Sequence, residues 1–429
     1  MKRRYIISIL VIITIMVCAV GVYIFNILSD SPSFINNMSG SGKVDNYLSH
    51  DGIVFKSEKT LYATKTMLGY EALSSSEERS CYYLIKQNVE EITDEKYKNT
   101  NSYKIKSIVV QNCHMNLSAI KKALYAFQYD NVDVFWISNT FAYSYNGKDT
   151  IITLCSSFSK SSLLDAKKKL DLKVSDIISK VPKNFSQYEI ELYLHDYIIS
   201  NCCYKNFSNN FNLYTAYGSL IENQAVCEGF SKAMKLLLGK MGIKCGLVTG
   251  SRKNEAHMWN VVEIDGKWYH LDVTWDAAGD LQRYDHFNVS DEIIKKTHNI
   301  NDNADSSSDF SGSNKYNLGI PICDSMEQNY FEKNAVKVSS LDENDQIRVI
   351  DKLVNLASQK KECIHVAIDS KENFKNIQKK FILQNNAVYF NCVARANEKL
   401  ITGHKINSTQ SQFSVNDAQN VITLKLIYS

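Results

Sequence analysis

The spacing of apolar and polar residues divides the first half of the chain into helical and strand-forming runs. Apolar residues that recur every three or four positions predict helices, and strict alternation predicts strands. Asn146 and Gly147 lie between two β-rich runs and supply the positive φ angles of a tight hairpin turn. We therefore expect an α+β region over residues 60–160. Its runs, in chain order, are SSEERSCYYLIKQNVEEI (75–92), SYKIKSIVVQ (102–111), NLSAIKKALYAFQYDN (116–131) and the hairpin FAYSYNGKDTIITL (141–154).

A second region begins with a helix-start signal at Ser186. The sequence SQYE has the Ser-x-x-Glu pattern of a capping box and precedes the apolar run IELYLHDYIISN. Further on, NQAVCEGF leads into the amphipathic run KAMKLLLGKMGI, which predicts a helix from about residue 227 to 241 with Cys227 in its first turn.

A hairpin follows in AHMWNVVEIDGKWYHLDVTWD (256–276), with Asp265 and Gly266 as its turn. Counting outward from that turn pairs Trp259 with Asp272 and His257 with Thr274, so these residues share one face of the sheet. The opposite face is apolar and suited to the core. His257 and Asp272 are diagonal neighbours, about 7–8 Å apart at the backbone, close enough for a hydrogen bond between their side chains. The apolar face comprises Met258, Val262, Tyr269, Leu271 and Val273.

The last third of the chain alternates predicted helices and strands after a polar stretch at 301–314. This alternation predicts a small α/β region over residues 321–429. The predicted elements are the helix DENDQIRVIDKLVNLASQ, the strand CIHVAI, the helix KENFKNIQKKF, and the strands AVYFNCV and VITLKLIY.

The N-terminus carries an uncharged apolar run at residues 5–28, behind Lys2, Arg3 and Arg4. As a helix it would measure roughly 36 Å, enough to cross a hydrocarbon core of about 30 Å. The basic flank predicts a cytoplasmic N-terminus, so the rest of the chain would be extracellular on a single-pass membrane anchor. The alternative is a signal peptide that is cleaved, which would release a secreted protein.

Composition excludes some classes of partner and supports no cofactor. The 429 residues carry 49 Lys+Arg and 46 Asp+Glu, a net charge of +3 that is too balanced to indicate a nucleic-acid partner. The 11 cysteines show neither a disulfide framework nor zinc-site spacing. We therefore expect no metal and no cofactor, and no EF-hand-like acidic loop indicates calcium activation.

Cys227 lies where a thiol can become reactive. The unpaired N–H groups and positive dipole at a helix N-terminus stabilise a thiolate, and the same groups can bind an oxyanion. A thiol there can also be a buried structural residue. The candidate base is His257, with Asp272 to fix its tautomer, so the hairpin joins three separate residues into one candidate site.

The sequence resembles the transglutaminase-like superfamily, in its secreted or membrane-tethered bacterial branch. The resemblance is carried by AVCEGF, HMWNVV and WYHLDVTWD, with further matches at LHDYIISNCCYK, LYTAYGSLI and YDHFNVSD. It implies a papain-like α+β fold, in which a helix bearing the cysteine packs on an antiparallel sheet bearing the histidine and the aspartate. Cys227, His257 and Asp272 match the nucleophile, the base and the orienting acid of the family. The expected organisation is an anchor (1–28), a tether (29–59), an α+β region (60–160), the catalytic domain (161–300), a polar loop (301–320) and the α/β region (321–429).

Four further residues are candidates for the same site. Gln224 and Tyr217 could donate to the oxyanion, although a turn residue and a packed aromatic are the simpler interpretations. Trp259 and Trp275 could line the substrate cleft, although core packing would also explain them. His195 is interpreted as structural, with Asp196 pointing elsewhere because adjacent helical residues do not share a face.

The expected chemistry is acyl transfer through a thioester on Cys227, at carboxamide or peptide bonds of envelope proteins or peptides. Water as the second nucleophile would make the protein a peptidase or amidase, and a lysine amine would make it a transglutaminase. The alternative is a catalytically silent, membrane-anchored binding or scaffolding protein of the same fold. The sequence leaves the oligomeric state open.

Overall fold

The structure is a computed structural model that describes residues 68–98, 100–205, 210–279, 281, 283–300, 319–369, 373–384, 387–400, 404–407 and 412–428. The expected anchor and tether lie outside these residues. Within them, no helix combines the length and the apolar character needed to cross a membrane.

The first region packs helices against a five-stranded sheet whose order is β1-β2-β5-β3, with β4 also pairing with β5. Helix starts follow the predicted signals, because Ser75 and Glu78 form a capping box and Asn116 caps the next long helix. The predicted hairpin is present, with Gly147 at φ 91° in its turn. The elements are α1 (Leu68–Glu71), α2 (Ser76–Asn88), β1 (Ile92–Lys96), β2 (Tyr103–Ile105), β3 (Ile108–Val110), α3 (Leu117–Asp130), β4 (Ile137–Tyr145) and β5 (Thr150–Ser156).

The central region places a set of helices against an antiparallel sheet of order β10-β9-β8-β11. The predicted capping box at Ser186 and Glu189 starts one of these helices. Its helical elements are α4 (Lys160–Ser179), α5 (Gln187–Asn201), a 3-10 turn (Phe211–Tyr214), α6 (Ala216–Leu220), α7 (Cys227–Lys240), α8 (Val273–Asp276) and α9 (Asp291–Ile294). Its strands are the short parallel pair β6 (Cys203–Tyr204) and β7 (Gln224–Ala225), and the sheet strands β8 (Cys245–Arg252), β9 (Glu255–Ile264), β10 (Lys267–Leu271) and β11 (His298–Ile300).

Both faces of this sheet are covered. All five residues predicted for the apolar face lie in the main core, which also contains Phe230 and Met234 of α7. The opposite face packs a smaller cluster around Trp259 and Val261, with Cys323 from beyond the sheet. Strand β9 is therefore buried almost continuously and does not show the alternation of a half-exposed strand.

The C-terminal region has a separate core and a sheet of order β12-β13-β15-β14. Strands β12 and β13 are parallel, and the other pairs are antiparallel. Its elements are α10 (Tyr330–Asn334), β12 (Val336–Val338), α11 (Glu343–Ser358), β13 (Cys363–Ile368), α12 (Phe374–Gln378) with a π-helical extension (Lys379–Leu383), α13 (Val388–Lys399), β14 (Phe413–Asn416) and β15 (Val421–Lys425).

One predicted strand is a helix. The run AVYFNCV, predicted as a strand, forms the first half of α13. The buried residues Tyr389, Cys392, Val393 and Ala396 recur at helical spacing. That spacing becomes visible only when the window extends into the helix-forming residues that follow.

Candidate active site

Cys227 is the first residue of α7, and Val226 before it has the extended conformation of an N-cap, with φ −90° and ψ 179°. The side chain of Val226 makes no capping hydrogen bond. The N–H groups at the start of a helix have no partner within the helix, so those of the first turn of α7 can bind an anion beside Cys227. Cys227 itself is partly buried, and none of the ten cysteines that the structure describes forms a disulfide.

His257 and Asp272 form the predicted hydrogen bond, with 2.7 Å between His257 Nε2 and Asp272 Oδ2. The predicted hairpin register is confirmed from Lys267↔Ile264 to Leu271↔Asn260. Both side chains are buried, at 6% and 0% exposure. Because Nε2 donates to the carboxylate, Nδ1 is the ring nitrogen left for the hydrogen bond between His257 and Cys227.

The register prediction was wrong beyond Leu271. Strand β10 ends there, so Thr274 does not pair with His257 but lies in α8. Asp272 is the N-cap of that helix, and its Oδ1 accepts from the backbone N–H groups of Thr274 (3.1 Å) and Trp275 (3.2 Å). An aspartate that satisfies two helical N–H groups ends the strand and starts the helix at the same position.

The electrostatics of this pair favour a charged ring. Burial opposes protonation of His257, but the charge and hydrogen bond of Asp272, together with Cys227, raise the pKa of His257 to about 10. Burial likewise opposes ionisation of Asp272, yet the charge and hydrogen bond of His257, together with the hydrogen bond of His298, hold its pKa well below the ordinary value. At neutral pH the site therefore holds an imidazolium beside a thiol, the arrangement in which a thiolate is stabilised.

The second histidine on Asp272 is His298, which the sequence analysis missed. Its Nε2 lies 2.9 Å from Asp272 Oδ2, and the ring is 2% exposed. His298 begins β11, which reaches the site by pairing with β8. No local pattern around His298 indicates this, since the pairing joins segments distant in the sequence.

The two candidate oxyanion donors lie in different surroundings. Tyr217 packs in an aromatic cluster, with ring centroids 4.7 Å from Phe135 and 5.7 Å from Phe158. Gln224 lies on β7 and is exposed. Two other tyrosines interact electrostatically with Cys227. Burial and then Cys227 raise the pKa of Tyr204 to about 12, whereas burial, Glu228 and then Cys227 raise the pKa of Tyr214.

The two candidate cleft tryptophans also differ from each other. Trp259 is fully buried; its ring lies parallel to His257 at 5.8 Å, and its Nε1 donates to His270 Nδ1 at 3.0 Å. Trp259 therefore packs against one face of the His257 ring and does not line an open cleft. Trp275 is half-buried, and the guanidinium of Arg252 lies 3.4 Å over its ring.

His195 is buried and bonded between two carboxylates, which fits its structural interpretation. Its Nε2 lies 3.1 Å from Asp276 Oδ2, and its Nδ1 lies 3.2 Å from Asp196 Oδ1. The expectation that Asp196 points elsewhere was therefore wrong. The aspartate side chain is short enough to turn back onto the ring of the residue before it. Asp276 also accepts from the backbone N–H of His286 at 2.9 Å.

Two groups of described residues bring three possible metal-ligand atoms within 4.8 Å of one another: His257 with Asp272 and His298, and His270 with Asp291 and Cys323. The protonation of the rings decides how to interpret them. Since Trp259 can only donate to His270 Nδ1, the Nε2 of His270 carries the proton and donates to Asp291 at 2.7 Å. His257 and His298 likewise use Nε2 to donate to Asp272. In these arrangements, the nitrogens that a metal would need carry hydrogens.

Residues 176–273 match the family model of the Transglutaminase-like superfamily, and this span contains Cys227, His257 and Asp272. No curated protein matches the chain.

Three solved structures are similar at low identity. A crystal structure of a TGase is 16% identical, over 41% of this chain and 52% of that chain, with a TM-score of 0.24. A candidate cysteine protease from Cytophaga hutchinsonii is 16% identical, over 32% and 61%, with a TM-score of 0.22. A candidate protease from Parabacteroides distasonis ATCC 8503 is 12% identical, over 32% and 35%, with a TM-score of 0.21. The chain spans about half the length of the TGase structure. On the family match, residues 176–273 of this chain are a domain of the transglutaminase-like superfamily.

Proposed function

We propose that this protein is a cysteine enzyme that cleaves or transfers acyl groups at carboxamide or peptide bonds of proteins or peptides. The observation that carries the proposal is the 2.7 Å hydrogen bond between His257 Nε2 and Asp272 Oδ2, which leaves Nδ1 of a charged ring to Cys227. A thiolate, a proton donor and a carboxylate that fixes the ring are the parts that acyl transfer requires.

The proposed reaction has two halves. The thiolate of Cys227 attacks the carbonyl carbon, and the resulting oxyanion is stabilised by backbone N–H groups at the start of α7. His257 gives its Nδ1 proton to the departing amine as the C–N bond breaks, which leaves a thioester. A second nucleophile then gives a proton to His257 and attacks the thioester, and the C–S bond breaks to restore the thiolate beside the protonated His257. Water releases an acid, and a primary amine forms a new amide.

A comparison of two thiols tests whether Cys227 is activated. Cys203 is exposed, whereas Cys227 is only partly exposed. Accessibility alone therefore predicts that a small alkylating probe labels Cys203 faster. We expect Cys227 to react at least tenfold faster than Cys203 at neutral pH, and His257→Ala to abolish that advantage.

Cys203→Ala serves as the matched control and should leave labelling of Cys227 unchanged. If Cys203 reacts faster in the wild type, the enzyme proposal fails. A catalytically silent scaffold or binding protein would then be favoured.

A second experiment separates hydrolysis from transfer. The protein is incubated with a glutamine-containing protein and a tagged primary amine, with Cys227→Ala as the control. Incorporated tag supports transferase activity, and new chain termini or released ammonia support hydrolysis. Neither product above the Cys227→Ala background contradicts both outcomes.

Part of the proposal concerns location. The apolar run at residues 5–28 behind a basic flank supports a single-pass anchor with the catalytic part outside the membrane. Protease added to intact cells should digest residues 68–428 while the protein fractionates with membranes. Release into the medium would favour cleavage after a signal peptide, and protection from protease would contradict an extracellular site.

A further inference from the structure

We propose that His298 is a positioning residue of this site, whose Nε2–H holds the Asp272 carboxylate in the orientation that His257 requires. This inference rests on the proposed function and adds a fourth residue to it. Asp272 Oδ2 accepts from His257 at 2.7 Å and from His298 at 2.9 Å, while Oδ1 accepts from two backbone N–H groups. Both oxygens are thus held, and the carboxylate cannot rotate without losing a hydrogen bond.

The tautomer of His298 follows from its two partners. An ionised carboxylate can only accept, so Nε2 carries the hydrogen that faces Asp272. Nδ1 is then the acceptor, and it lies 2.8 Å from the hydroxyl of Thr297. Burial lowers the pKa of His298 to about 4, so at neutral pH the ring is uncharged and this tautomer persists. His298 therefore orients Asp272 without contributing a positive charge that would compete with His257.

The backbone fixes His298 relative to His257. Strand β11 pairs with β8 through His298↔Arg252, and β8 pairs with β9 through Gly250↔His257. The two histidines therefore extend from strands of one sheet, and their ring centroids lie 5.5 Å apart. Trp259 lies against both rings, at 5.8 Å from His257 and 5.0 Å from His298. The helix-capping hydrogen bonds on Asp272 Oδ1 would persist without His298. The specific contribution of His298 is therefore to hold Asp272 Oδ2.

Two substitutions of His298 separate positioning from packing. His298→Gln keeps an N–H donor that can reach Asp272, whereas His298→Leu keeps bulk and removes the donor. We expect the rate of Cys227 alkylation to fall at least tenfold in His298→Leu and to stay within about threefold of wild type in His298→Gln. With a substrate from the assays above, the loss should be in kcat, with KM changed less than about twofold. Equal rates in His298→Leu and wild type, or equal losses in the two variants, would overturn the proposal.

Thr297 supplies a test that does not alter the ring. Thr297→Val removes the hydroxyl that holds Nδ1, and Thr297→Ser retains it. The alkylation rate should fall in Thr297→Val and be preserved in Thr297→Ser, so the proposal remains testable even if His298→Leu does not fold. Equal rates in the two variants would contradict it.

The wild-type protein separates this inference from the proposed function. If wild-type Cys227 is no faster than Cys203, the proposed function itself fails. If wild-type Cys227 is fast and His257-dependent but insensitive to His298 and Thr297, only the present inference fails.

Discussion

Asp272 shows how one side chain can serve the fold and the site together. One oxygen caps a helix, and the other accepts from two histidines. Aspartate suits both uses because it is short and accepts up to four hydrogen bonds when ionised. The sequence contains the helix-cap signal, since aspartate is a preferred N-cap residue. The alternation of apolar residues continues past it, however, and this led to the prediction of a longer strand.

At the residue scale, the first prediction concerns the pH dependence of the reaction. The active form needs a protonated His257, whose pKa is raised to about 10. We expect kcat/KM to fall on the alkaline side near pH 10, with an apparent pKa that belongs to the coupled Cys227–His257 pair. Asp272→Asn removes the negative charge that raises this pKa, so its alkaline limb should move at least one pH unit lower. The measurement is a pH–rate profile of both proteins.

Asp291→Asn is the control for this experiment. It removes a carboxylate that accepts from a different histidine, His270, at 2.7 Å. The alkaline limb of its pH–rate profile should match that of the wild type. An unshifted limb in Asp272→Asn would show that the carboxylate does not set the protonation of His257.

The second prediction concerns His365, which links pH to stability. Burial lowers its pKa to about 4, whereas an unfolded chain would titrate near 6.5. Between these values the unfolded state binds more protons, so stability rises with pH and is lost as the pH falls below about 6.5. The contribution lost between pH 7 and pH 5 is about 2 kcal/mol. His365→Asn should reduce the pH dependence of the free energy of unfolding over this interval by about that amount.

Chemical denaturation at pH 7 and pH 5 measures this difference. His298 also has a lowered pKa but is unchanged in the variant, so the comparison isolates His365. Identical pH dependence in the two proteins would contradict the prediction.

At the scale of elements, the start of α7 depends on a glycine. A Cβ added at Gly229 would overlap the carbonyl oxygen of Leu213 and the Cβ of Ala225. The helix that carries Cys227 can therefore approach the 211–214 turn only because this position has no side chain. We predict that Gly229→Ala lowers the free energy of unfolding by about 1–3 kcal/mol and slows Cys227 alkylation, since the helix start must shift. Thermal melting and Cys227 labelling rates test this. A wild-type labelling rate in a destabilised variant would contradict the expected slowing and show that Cys227 reactivity tolerates a shift of the helix start.

Elements whose formation depends on neighbours in sequence could be predicted, whereas those that depend on distant segments could not. The hairpin register, the Ser186 capping box and the helix at Cys227 depend on neighbours in sequence, and the structure has all three. The run AVYFNCV was assigned wrongly because a short apolar window does not distinguish a strand from a helix. His298 could not be found in advance, since its place depends on a strand pairing between distant segments.

At the scale of the whole molecule, the C-terminal region contacts a segment that runs beside the site. Asp272 N–H donates to the carbonyl of His286 at 3.2 Å, and His270 exchanges two backbone hydrogen bonds with Val289. The C-terminal region donates two hydrogen bonds to this part of the chain, from Ser414 Oγ to Leu281 O at 3.0 Å and from Gln419 Nε2 to Asp285 O at 2.8 Å. The C-terminal region therefore braces residues 283–289, which in turn make backbone hydrogen bonds to His270 and Asp272.

The last prediction tests this bracing. Ser414→Ala combined with Gln419→Ala removes two hydrogen bonds to backbone carbonyls, at a cost of about 1 kcal/mol each. We expect faster amide hydrogen exchange at residues 283–289, with exchange in the core of α7 unchanged, because local opening requires only the contacts that hold the segment. Lys375→Ala is the matched control: it breaks the exposed ion pair with Asp417 in the same part of the C-terminal sheet, and should leave exchange at 283–289 unaltered. If the double variant exchanges like the wild type there, the hydrogen bonds from Ser414 and Gln419 do not brace the segment, and its other contacts, such as Asn329 to Phe287 O, are sufficient to hold it.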